Sequence, residues 1–309
     1  MPAFILSAPR SGTTWLVRAL GAHPEILASE LRAFGDYFDL VHDAGASKPR
    51  LRITLDAYLN ALFGSHAWQP LGSSREGVRD RLLGDVYSAI ERHALQHANK
   101  RAFVDKVTPY LDTSAVVVQS IARLFPQASV IHLIRDGRDV AVSGVMHWLN
   151  RDVAQMSPEQ RRRRDFLVDH TGERPGRFFT DEELTQWASH WRQPIDALRQ
   201  HGQGLRLLEV RYERMSANLS GELRRMFEFL GVSTGGDVAQ ACVEASTFEA
   251  MSGGRKRGDD APGAHVRKGV VGDWREHFTH SDAIRFDEIA GDVLVNCGYE
   301  SSAGWLQRI

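Results

Sequence analysis

Residues 4–15 have the types and spacing that bind a small anion. The run is Phe-Ile-Leu-Ser-Ala-Pro-Arg-Ser-Gly-Thr-Thr-Trp. Its apolar start, residues 4–6, predicts a buried strand, and residues 15–20 have the apolar spacing of a helix. The backbone N–H groups of residues 11–14 would then point to one spot, where the positive end of the helix dipole adds to them. The loop therefore predicts a phosphate or sulfate site.

The charged and flexible residues of this loop favour a small anion without a metal ion. Arg10 supplies a fixed cation, and Gly12 lets the backbone approach closely. A nucleoside-triphosphate P-loop has a lysine directly after its second glycine and another glycine five positions earlier. Here Thr13 follows Gly12, and Ser7 occupies the earlier position. The alternative is an ordinary strand, turn and helix in which Ser11 or Thr13 caps the helix.

A second strand and helix place further polar side chains where a ligand could bind. Residues 129–135, Ser-Val-Ile-His-Leu-Ile-Arg, predict a buried strand, and residues 136–143 predict a turn followed by a helix start. Arg135 at the end of the strand and Ser143 one helical turn further on can converge on a second anion. Because ligands of open α/β sheets lie beyond the carboxyl ends of the strands, both anion sites are expected at the same edge.

A third, basic segment lies far downstream. Arg267 and Lys268 precede Gly269, and residues 272–274, Gly-Asp-Trp, predict a turn. Two adjacent cations are by themselves typical of a solvated loop. In a chain with two predicted anion sites, a contribution to the same ligand is the favoured interpretation.

The elements that must position these residues alternate between strands and helices. Such alternation predicts a parallel sheet with helices on both faces, which is a three-layer α/β fold. We expect a single domain over residues 1–309, with segments inserted near 34–76 and 150–180. Strands are predicted near 3–7, 102–106, 129–135 and 205–211, and helices near 13–22, 77–98, 113–125, 139–149, 181–200, 216–230, 236–245 and 281–296.

Composition narrows the class of protein. The chain has 309 residues, of which 42% are hydrophobic and 25% charged, enough for one substantial core. The net charge of −1 argues against a general nucleic-acid-binding or membrane-surface protein. Two cysteines, Cys242 and Cys297, cannot form a disulfide framework and are expected to be core residues in a reducing compartment. Without a long apolar run, and with a strand predicted at once, we expect no membrane anchor, no signal peptide and a cytoplasmic location.

Together, the three segments resemble the sulfotransferases that use 3′-phosphoadenosine 5′-phosphosulfate (PAPS). Residues 7–15 are similar to the 5′-phosphosulfate loop of that family, and residues 133–143 to its 3′-phosphate segment. Residues 267–274 are similar to its C-terminal Arg-Lys-Gly-x-x-Gly-Asp-Trp motif. Two weaker similarities lie in the expected order between the second and third motifs. The resemblance covers roughly residues 3–280 and implies a P-loop-like fold.

The resemblance also implies which residues hold the nucleotide. The loop from Arg10 to Trp15 would bind the 5′ side, Tyr212 and Phe248 would lie near adenine, and the remaining residues would hold the 3′-phosphate. No metal ion is expected, because no cluster of His, Cys and carboxylate residues in the sequence has metal-ligand spacing. The predicted nucleotide-binding residues are Arg10, Ser11, Gly12, Thr13, Thr14, Trp15, Arg135, Ser143, Tyr212, Phe248, Arg267, Lys268 and Gly269.

Catalysis in this family implies two cationic roles. Sulfuryl transfer is a loose, in-line displacement that needs cations at the leaving oxygen and a base for the proton of a hydroxyl acceptor. By resemblance, Arg10 stabilises the 5′-phosphate and the bridging oxygen. Lys106, at the predicted end of a strand, is assigned to the transferring sulfuryl group.

Two carboxylates compete for the role of base. Cytosolic members have a histidine in the segment that begins here with Lys106-Val-Thr-Pro, which contains none. Residues 23–32 resemble a His-Pro-Glu…Glu-x-Arg stretch of tyrosyl-protein and heparan-type enzymes, which implies Glu30 as the base. Residues 105–110 resemble a Glu-Lys-x-x-x-Tyr pattern of carbohydrate sulfotransferases, which implies Asp105. Glu30 is ranked first. The structural alternatives are a surface carboxylate for Glu30 and an ion-pair partner of Lys106 for Asp105.

The predicted reaction moves the sulfuryl group of PAPS in line to a hydroxyl, or less favourably an amine, of a small or medium-sized acceptor such as a natural product. The products would be a sulfate ester and 3′,5′-ADP. The main alternative is a P-loop-like kinase that uses ATP, which predicts magnesium dependence and a lysine after Gly12. A relative that binds the nucleotide without catalysis is the other alternative. The acceptor and the oligomeric state stay open.

Overall fold

The structure, a computed structural model, describes residues 2–30, 55, 57–61, 75–109, 111–150, 154, 156–262, 264 and 266–308. Most of the insertion predicted near 34–76 therefore lies outside the described residues, and so does Tyr110, the tyrosine of the carbohydrate-type pattern.

A five-stranded parallel sheet forms the centre of the fold, with the strands in the order β2-β3-β1-β4-β5. The register places Leu6 opposite both Val107 and His132. The central strands β1 and β4 are buried along their whole length, as expected for parallel strands covered on both faces. The strands are β1 (Ala3–Leu6), β2 (Ile26–Ser29), β3 (Ala102–Val107), β4 (Ser129–Ile134) and β5 (Arg206–Arg211).

The sequence pattern predicts four of these strands and misses β2. This strand has only 4 residues, of which Ile26 alone is buried, and it lies at the edge of the sheet. A run this short and this exposed carries no diagnostic alternation of apolar and polar residues. β2 matters for the site because Glu30 follows it directly.

Helices connect the strands and cover both faces of the sheet. In the described part of the chain, the α-helices include α1 (Thr13–Gly21), α2 (Arg75–Ala98), α3 (Ser114–Leu124), α4 (Gly137–Leu149), α5 (Pro158–Leu167), α6 (Asp181–His201), α7 (Tyr212–Ala217), α8 (Leu219–Leu230), α9 (Gly236–Ala245), α10 (Phe248–Ser252) and α11 (His280–Asn296).

The helices differ from the sequence prediction in three places: α5 and the short α10 were not predicted, and one predicted helix is divided in two. α5 lies in the inserted segment near 150–180 and was not predicted. It begins with a capping box between Ser157 and Gln160, a local signal that could have revealed it. The segment predicted as one helix over 216–230 belongs to two helices, because the backbone of Asn218 is not helical. The Asn218 side chain caps α8 by accepting a hydrogen bond from the Gly221 backbone N–H.

Successive side chains of β1 point to opposite faces of the sheet and therefore belong to two different apolar layers. Phe4 and Leu6 pack with Tyr87 against α2 and α3, whereas Ile5 packs against α1 and α8 on the other face. A further cluster joins α4, α6 and α11 around Trp191. This arrangement confirms the predicted fold class, a three-layer α/β fold with a central parallel sheet.

Both cysteines are buried and free, as the sequence predicts for core residues. His132 in β4 is a core histidine, and burial lowers its pKa to about 3, so it is neutral near pH 7. Within the described part of the chain, no helix is both long enough and apolar enough to cross a membrane.

Candidate functional site

The five parallel strands end at one edge of the sheet, and predicted site residues follow them there. In the β1/β4/β5 half of the edge, β1 leads into the anion loop, β4 into Arg135 and β5 into Tyr212. In the β2/β3 half, Glu30 follows β2 and Lys106 lies at the end of β3. The two halves meet at β1, the middle strand.

The anion loop has a left-handed backbone conformation at two positions, of which one is a glycine. Arg10 and Gly12 have φ angles of 69° and 96°, which turn the chain from β1 into α1. Gly12 is the residue before α1, and none of the described side chains caps this helix. The alternative in which Ser11 or Thr13 acts as the cap is therefore not what the structure contains. The start of α1 keeps the positive dipole end that an anion would meet.

Two aromatic rings pack on the loop. An ideal Cβ atom built on Gly12 would lie 2.6 Å from Cδ2 of Tyr212, so the ring rests directly on the glycine backbone. Trp15 meets the Tyr212 ring edge to face at 5.4 Å, and its Nε1–H donates to the Ser246 carbonyl at 2.9 Å. These contacts join the loop to the end of β5 and to the segment before α10.

Arg135 joins all three basic motifs. Its guanidinium donates to the Arg10 carbonyl at 3.3 Å and to the Val270 carbonyl at 3.2 Å. It also lies over the Tyr212 ring, 4.4 Å from the centroid. The Arg10 side chain in turn donates from Nε to Oγ of Ser143 at 3.3 Å. The predicted convergence of Arg135 and Ser143 on one site is therefore present in the structure.

Asp139 fixes the third motif to the first turn of α4. Its carboxylate accepts hydrogen bonds from the backbone N–H groups of Gly272 at 2.8 Å and Trp274 at 3.0 Å. The side chain is buried, and burial raises its pKa, although Arg135 at 3.7 Å opposes that shift. The turn over 272–274 is thus held at a set position relative to the strand end.

Arg267 and Lys268 reach the site from this third motif, and carboxylates balance part of their charge. Lys268 binds Asp273 at 2.7 Å and Glu276 at 2.9 Å. Arg267 forms an ion pair with the same Asp273 and a second one, at 3.0 Å, with the half-exposed Asp260. An incoming phosphate would therefore have to share or replace a carboxylate.

Asp273 is the fixed member of this cluster. Burial alone would raise the pKa of its carboxyl, but His277, Lys268 and Arg267 outweigh burial and hold the pKa well below its ordinary range. Asp273, Glu276 and His277 place possible metal-ligand atoms within 4.8 Å of one another. Because Lys268 and Arg267 already bind these carboxylates, a divalent ion would have to displace two cations there.

These residues surround one cavity that opens to solvent. All the predicted nucleotide-binding residues line it except Ser11, which is only 1% exposed and lies beneath the loop. The lining residues are Arg10, Gly12, Thr13, Thr14, Trp15, Arg135, Ser143, Tyr212, Ser246, Phe248, Met251, Arg257, Val266, Arg267, Lys268, Gly269 and Val270.

The sequence pattern does not identify Arg257 as a lining residue. Its guanidinium lies 5.4 Å from the centroid of the Trp15 ring and hydrogen-bonds Oγ of Ser216. The basic run that contains Arg257 was the available signal, but such a run is equally typical of a solvated loop. Phe248 packs on Gly269: a Cβ atom at that glycine would lie 2.6 Å from the ring.

In the β2/β3 half of the edge, Lys106 and Glu30 form an ion pair between Nζ and Oε1. The register pairs Ser29 with Asp105, which places the next residues of the two strands side by side. The lysine side chain is largely buried, whereas that of Glu30 is 44% exposed. A carboxylate in this setting can meet a ligand that enters from solvent.

Asp105 lies on the opposite face of β3 from Lys106, because successive side chains of a strand alternate. It is fully buried, and the Tyr87 hydroxyl donates to it at 3.4 Å. Burial, with Asp105 beside it, raises the pKa of Tyr87. Asp105 therefore faces α2 rather than the cavity. This position argues against Asp105 as the base and against its pairing with Lys106.

Known proteins are similar to this chain in sequence and in fold. Residues 2–235 match the family model described as the sulfotransferase family. The chain is 30% identical to mouse (Mus musculus) sulfotransferase 2A6 over 201 residues, which cover 62% of this chain and 65% of that protein. It is 29% identical to human (Homo sapiens) sulfotransferase 2B1 over 201 residues, which cover 59% of this chain and 49% of that protein. The matches thus span about half to two thirds of these relatives.

Two solved structures have a similar fold. Mouse sulfotransferase SULT7A1 complexed with PAP aligns with a TM-score of 0.55 and 16% identity, over 99% of this chain and 87% of that chain. The sulfotransferase domain of the Synechococcus PCC 7002 olefin synthase aligns with a TM-score of 0.52 and 20% identity, over 93% of both chains. At these identities the two structures show the fold alone, whereas the family model shows the protein family. The family model matches well over half of this chain, and the chain therefore belongs to the sulfotransferase family.

Proposed function

We propose that this protein transfers the sulfuryl group of PAPS to a hydroxyl of a small or medium-sized acceptor, giving a sulfate ester and 3′,5′-ADP. The observation that carries the proposal is the single cavity shared by the anion loop, Arg135 with Ser143, and Arg267 with Lys268. Several anion-binding groups around one space suit a nucleotide with phosphate on both its 3′ and 5′ oxygens. Membership of the sulfotransferase family supports the same reaction class.

The positions of the lining residues suggest how they share the donor substrate. Arg10 and the N–H groups at the start of α1 would hold the 5′ side, where the helix dipole also favours negative charge. Arg135, Ser143, Arg267 and Lys268 would hold the 3′-phosphate. Tyr212 and Phe248 line the cavity as aromatic side chains, each packed on a glycine backbone, and would contact the adenine ring.

The reaction would be a displacement at sulfur. The acceptor oxygen forms the new S–O bond while the S–O bond to the 5′-phosphate breaks, so negative charge grows on the leaving oxygen. Arg10 would stabilise this charge, because its guanidinium is forked and permanently protonated. Glu30 would take the hydroxyl proton as the new bond forms. Lys106 would orient Glu30 through their ion pair and face the sulfuryl oxygens.

The acceptor is proposed only as a chemical class, a hydroxyl compound, with an amine second. We infer that it enters over the β2/β3 half of the sheet edge, opposite the leaving group, where Glu30 is partly exposed. The segments inserted near 34–76 and 150–180 would flank it. We further propose that transfer needs no metal ion and takes place in the cytoplasm. Thr13 stands where a P-loop kinase would have its lysine, which favours PAPS over ATP.

The test is a transfer assay with defined acceptors. The purified protein is incubated with PAPS, EDTA and a panel of phenols, sterols, sugars and amines, and mass spectrometry follows the sulfate ester and 3′,5′-ADP. We expect one ester per 3′,5′-ADP formed, with no product when ATP and magnesium replace PAPS. Phosphorylated product from ATP would favour the kinase. Tight binding of 3′,5′-ADP without transfer to any acceptor would favour an inactive relative.

A further inference from the structure

Arg138 is a buried cation to which the proposed reaction gives no direct role. It lies in the first turn of α4 and is 1% exposed. Its guanidinium donates to Asp136 from Nε at 3.0 Å and from Nη2 at 2.8 Å, and to Glu300 from Nη1 at 2.6 Å. The fork is thus shared between the start of α4 and the C-terminal end of the chain.

Two indole rings also pack on this guanidinium. Its central carbon lies 3.8 Å from the centroid of Trp274 and 4.7 Å from that of Trp305. The two buried rings meet each other edge to face at 6.1 Å. Cation–π contacts are strongest when the cation is desolvated, as Arg138 is here. Arg138 therefore holds Trp305 and Trp274 together as one unit.

Trp274 connects this unit to the cations of the cavity. Its neighbour Asp273 binds both Arg267 and Lys268, and both of these line the cavity. The Asp139 carboxylate holds the backbone of the turn over 272–274, and Arg138 packs on the ring of Trp274. A change in the packing of Trp274 would therefore move the carboxylate that orients the two cations.

A second set of hydrogen bonds links the C-terminal residues to Asp136, a partner of Arg138. The Tyr299 hydroxyl donates to Glu213 at 3.0 Å, and Glu213 accepts from the backbone N–H of Asp136 at 2.9 Å. Residues 299–305 are thus linked to this region directly, through Glu300 and Arg138, and indirectly, through Tyr299, Glu213 and Asp136. This segment lies beyond the three motifs that indicated the site.

We propose that Arg138 is a positioning residue for the 3′-phosphate site, and that residues 299–305 support that site through it. The proposal rests on the proposed function, since it assumes a ligand with a 3′-phosphate. Arg138 touches no ligand. It acts through Trp274 and Asp273 on the directions of Arg267 and Lys268.

The test measures how strongly the protein distinguishes 3′,5′-ADP from 5′-AMP, which lacks the 3′-phosphate. In Arg138→Lys the charge stays, but the planar fork and its stacking are lost. By calorimetric titration, we expect this discrimination to fall about tenfold, the scale of one charge-assisted hydrogen bond. Because only the 3′-phosphate contacts change, the affinity for 5′-AMP should stay within about twofold of that of the wild type.

Arg163 provides a matched control. It is 3% exposed and binds Glu183 at 2.7 Å, but it joins α5 to α6 and does not line the cavity. Arg163→Lys should lower the melting temperature and leave the discrimination unchanged. Glu300→Gln weakens the same cluster from its C-terminal side and should reduce the discrimination about threefold, without removing the buried cation.

The outcomes separate the two proposals. An Arg138→Lys protein whose discrimination equals that of the wild type, or falls no further than that of Arg163→Lys, overturns the role of Arg138. Should Arg138→Lys not fold, an unchanged discrimination in Glu300→Gln overturns it instead. A wild-type protein that does not prefer 3′,5′-ADP to 5′-AMP overturns the proposed function itself.

Discussion

The two halves of the sheet edge are built in different ways. In the β1/β4/β5 half, the lining residues belong to a few short segments at strand ends, at helix starts and in the downstream loops, and each segment has its own sequence signal. In the β2/β3 half, Glu30 and Lys106 are 76 residues apart in sequence, and the register of β2 on β3 brings them together. The segments proposed to bind the nucleotide can thus be recognised one by one in the sequence, whereas the position of the proposed base depends on strand pairing.

The largest expected effect lies where the two halves meet, at Arg10. Arg10→Ala removes the cation that is proposed to stabilise the leaving oxygen and should lower kcat about 10³-fold. The dissociation constant of 3′,5′-ADP should rise only about tenfold, because other groups still hold the nucleotide. Transfer kinetics and calorimetry measure the two effects.

Arg18 is the control for this prediction. It lies one helical turn beyond the loop, exposed, and donates to the Ala245 carbonyl at 3.2 Å. Arg18→Ala should leave kcat close to the wild-type value. A similar loss of rate in both variants would contradict a specific role for Arg10.

The second effect tests the β2/β3 half alone. Glu30→Gln keeps the shape but cannot take a proton, and kcat should fall about 10²–10³-fold, within the range of general base catalysis. The affinity for 3′,5′-ADP should be unchanged, because Glu30 does not line the nucleotide cavity. Steady-state kinetics with one acceptor and saturating PAPS provide the measurement.

Asp105→Asn is the matched comparison, since Asp105 is the other candidate base. Its buried hydrogen bond with Tyr87 should make this variant less stable to urea by about 1–3 kcal/mol. Its kcat should fall much less than that of Glu30→Gln. The opposite ranking of the two rates would assign the base to Asp105 after all.

A third, smaller effect concerns the packing of the nucleotide half. Gly12→Ala places a Cβ atom 2.6 Å from Tyr212, and Gly12 has a φ of +96°. The variant should weaken 3′,5′-ADP binding about tenfold, the scale expected when a lining ring must move. Gly231→Ala is the control, with a φ of +69° and no atom within 4 Å of the added carbon. Both should lose about 1 kcal/mol of stability from backbone strain, and only the first should lose affinity.

The smallest effect has the opposite sign. Asp260 is the exposed partner of Arg267 at 3.0 Å, and it competes with an incoming phosphate. Asp260→Asn should tighten 3′,5′-ADP binding about threefold, as expected for one surface ion pair. The gain should shrink at high salt. Weaker binding in a calorimetric titration would show that Asp260 supports the site instead.

The sequence was sufficient for the parts of the molecule that local patterns encode. The buried runs of β1 and β4 predicted the parallel sheet, and the three motifs with the two weaker similarities predicted most of the residues that line the cavity. β2 was missed because it is a short edge strand. Asp105 was the second candidate for the base, after Glu30, and the motif that suggested it does not show on which face of β3 it lies.

Long-range packing was equally inaccessible from the sequence. Arg138 lies in a turn of acidic and basic residues, a pattern that is typical of a solvent-exposed segment. It is buried because Trp274 and Trp305 cover it. Glu300 is 162 residues away from it in sequence. No periodicity links residues so far apart. Such contacts follow from the way α11 and the chain after it return to the start of α4.

The most direct test of the central claim is a calorimetric titration of the wild-type protein and Arg10→Ala with 3′,5′-ADP and with ATP, each with and without EDTA. We predict tight binding of 3′,5′-ADP by the wild-type protein that EDTA does not change, that ATP does not match and that Arg10→Ala weakens. No binding of 3′,5′-ADP, or a magnesium-dependent preference for ATP, would contradict the assignment of the cavity to PAPS.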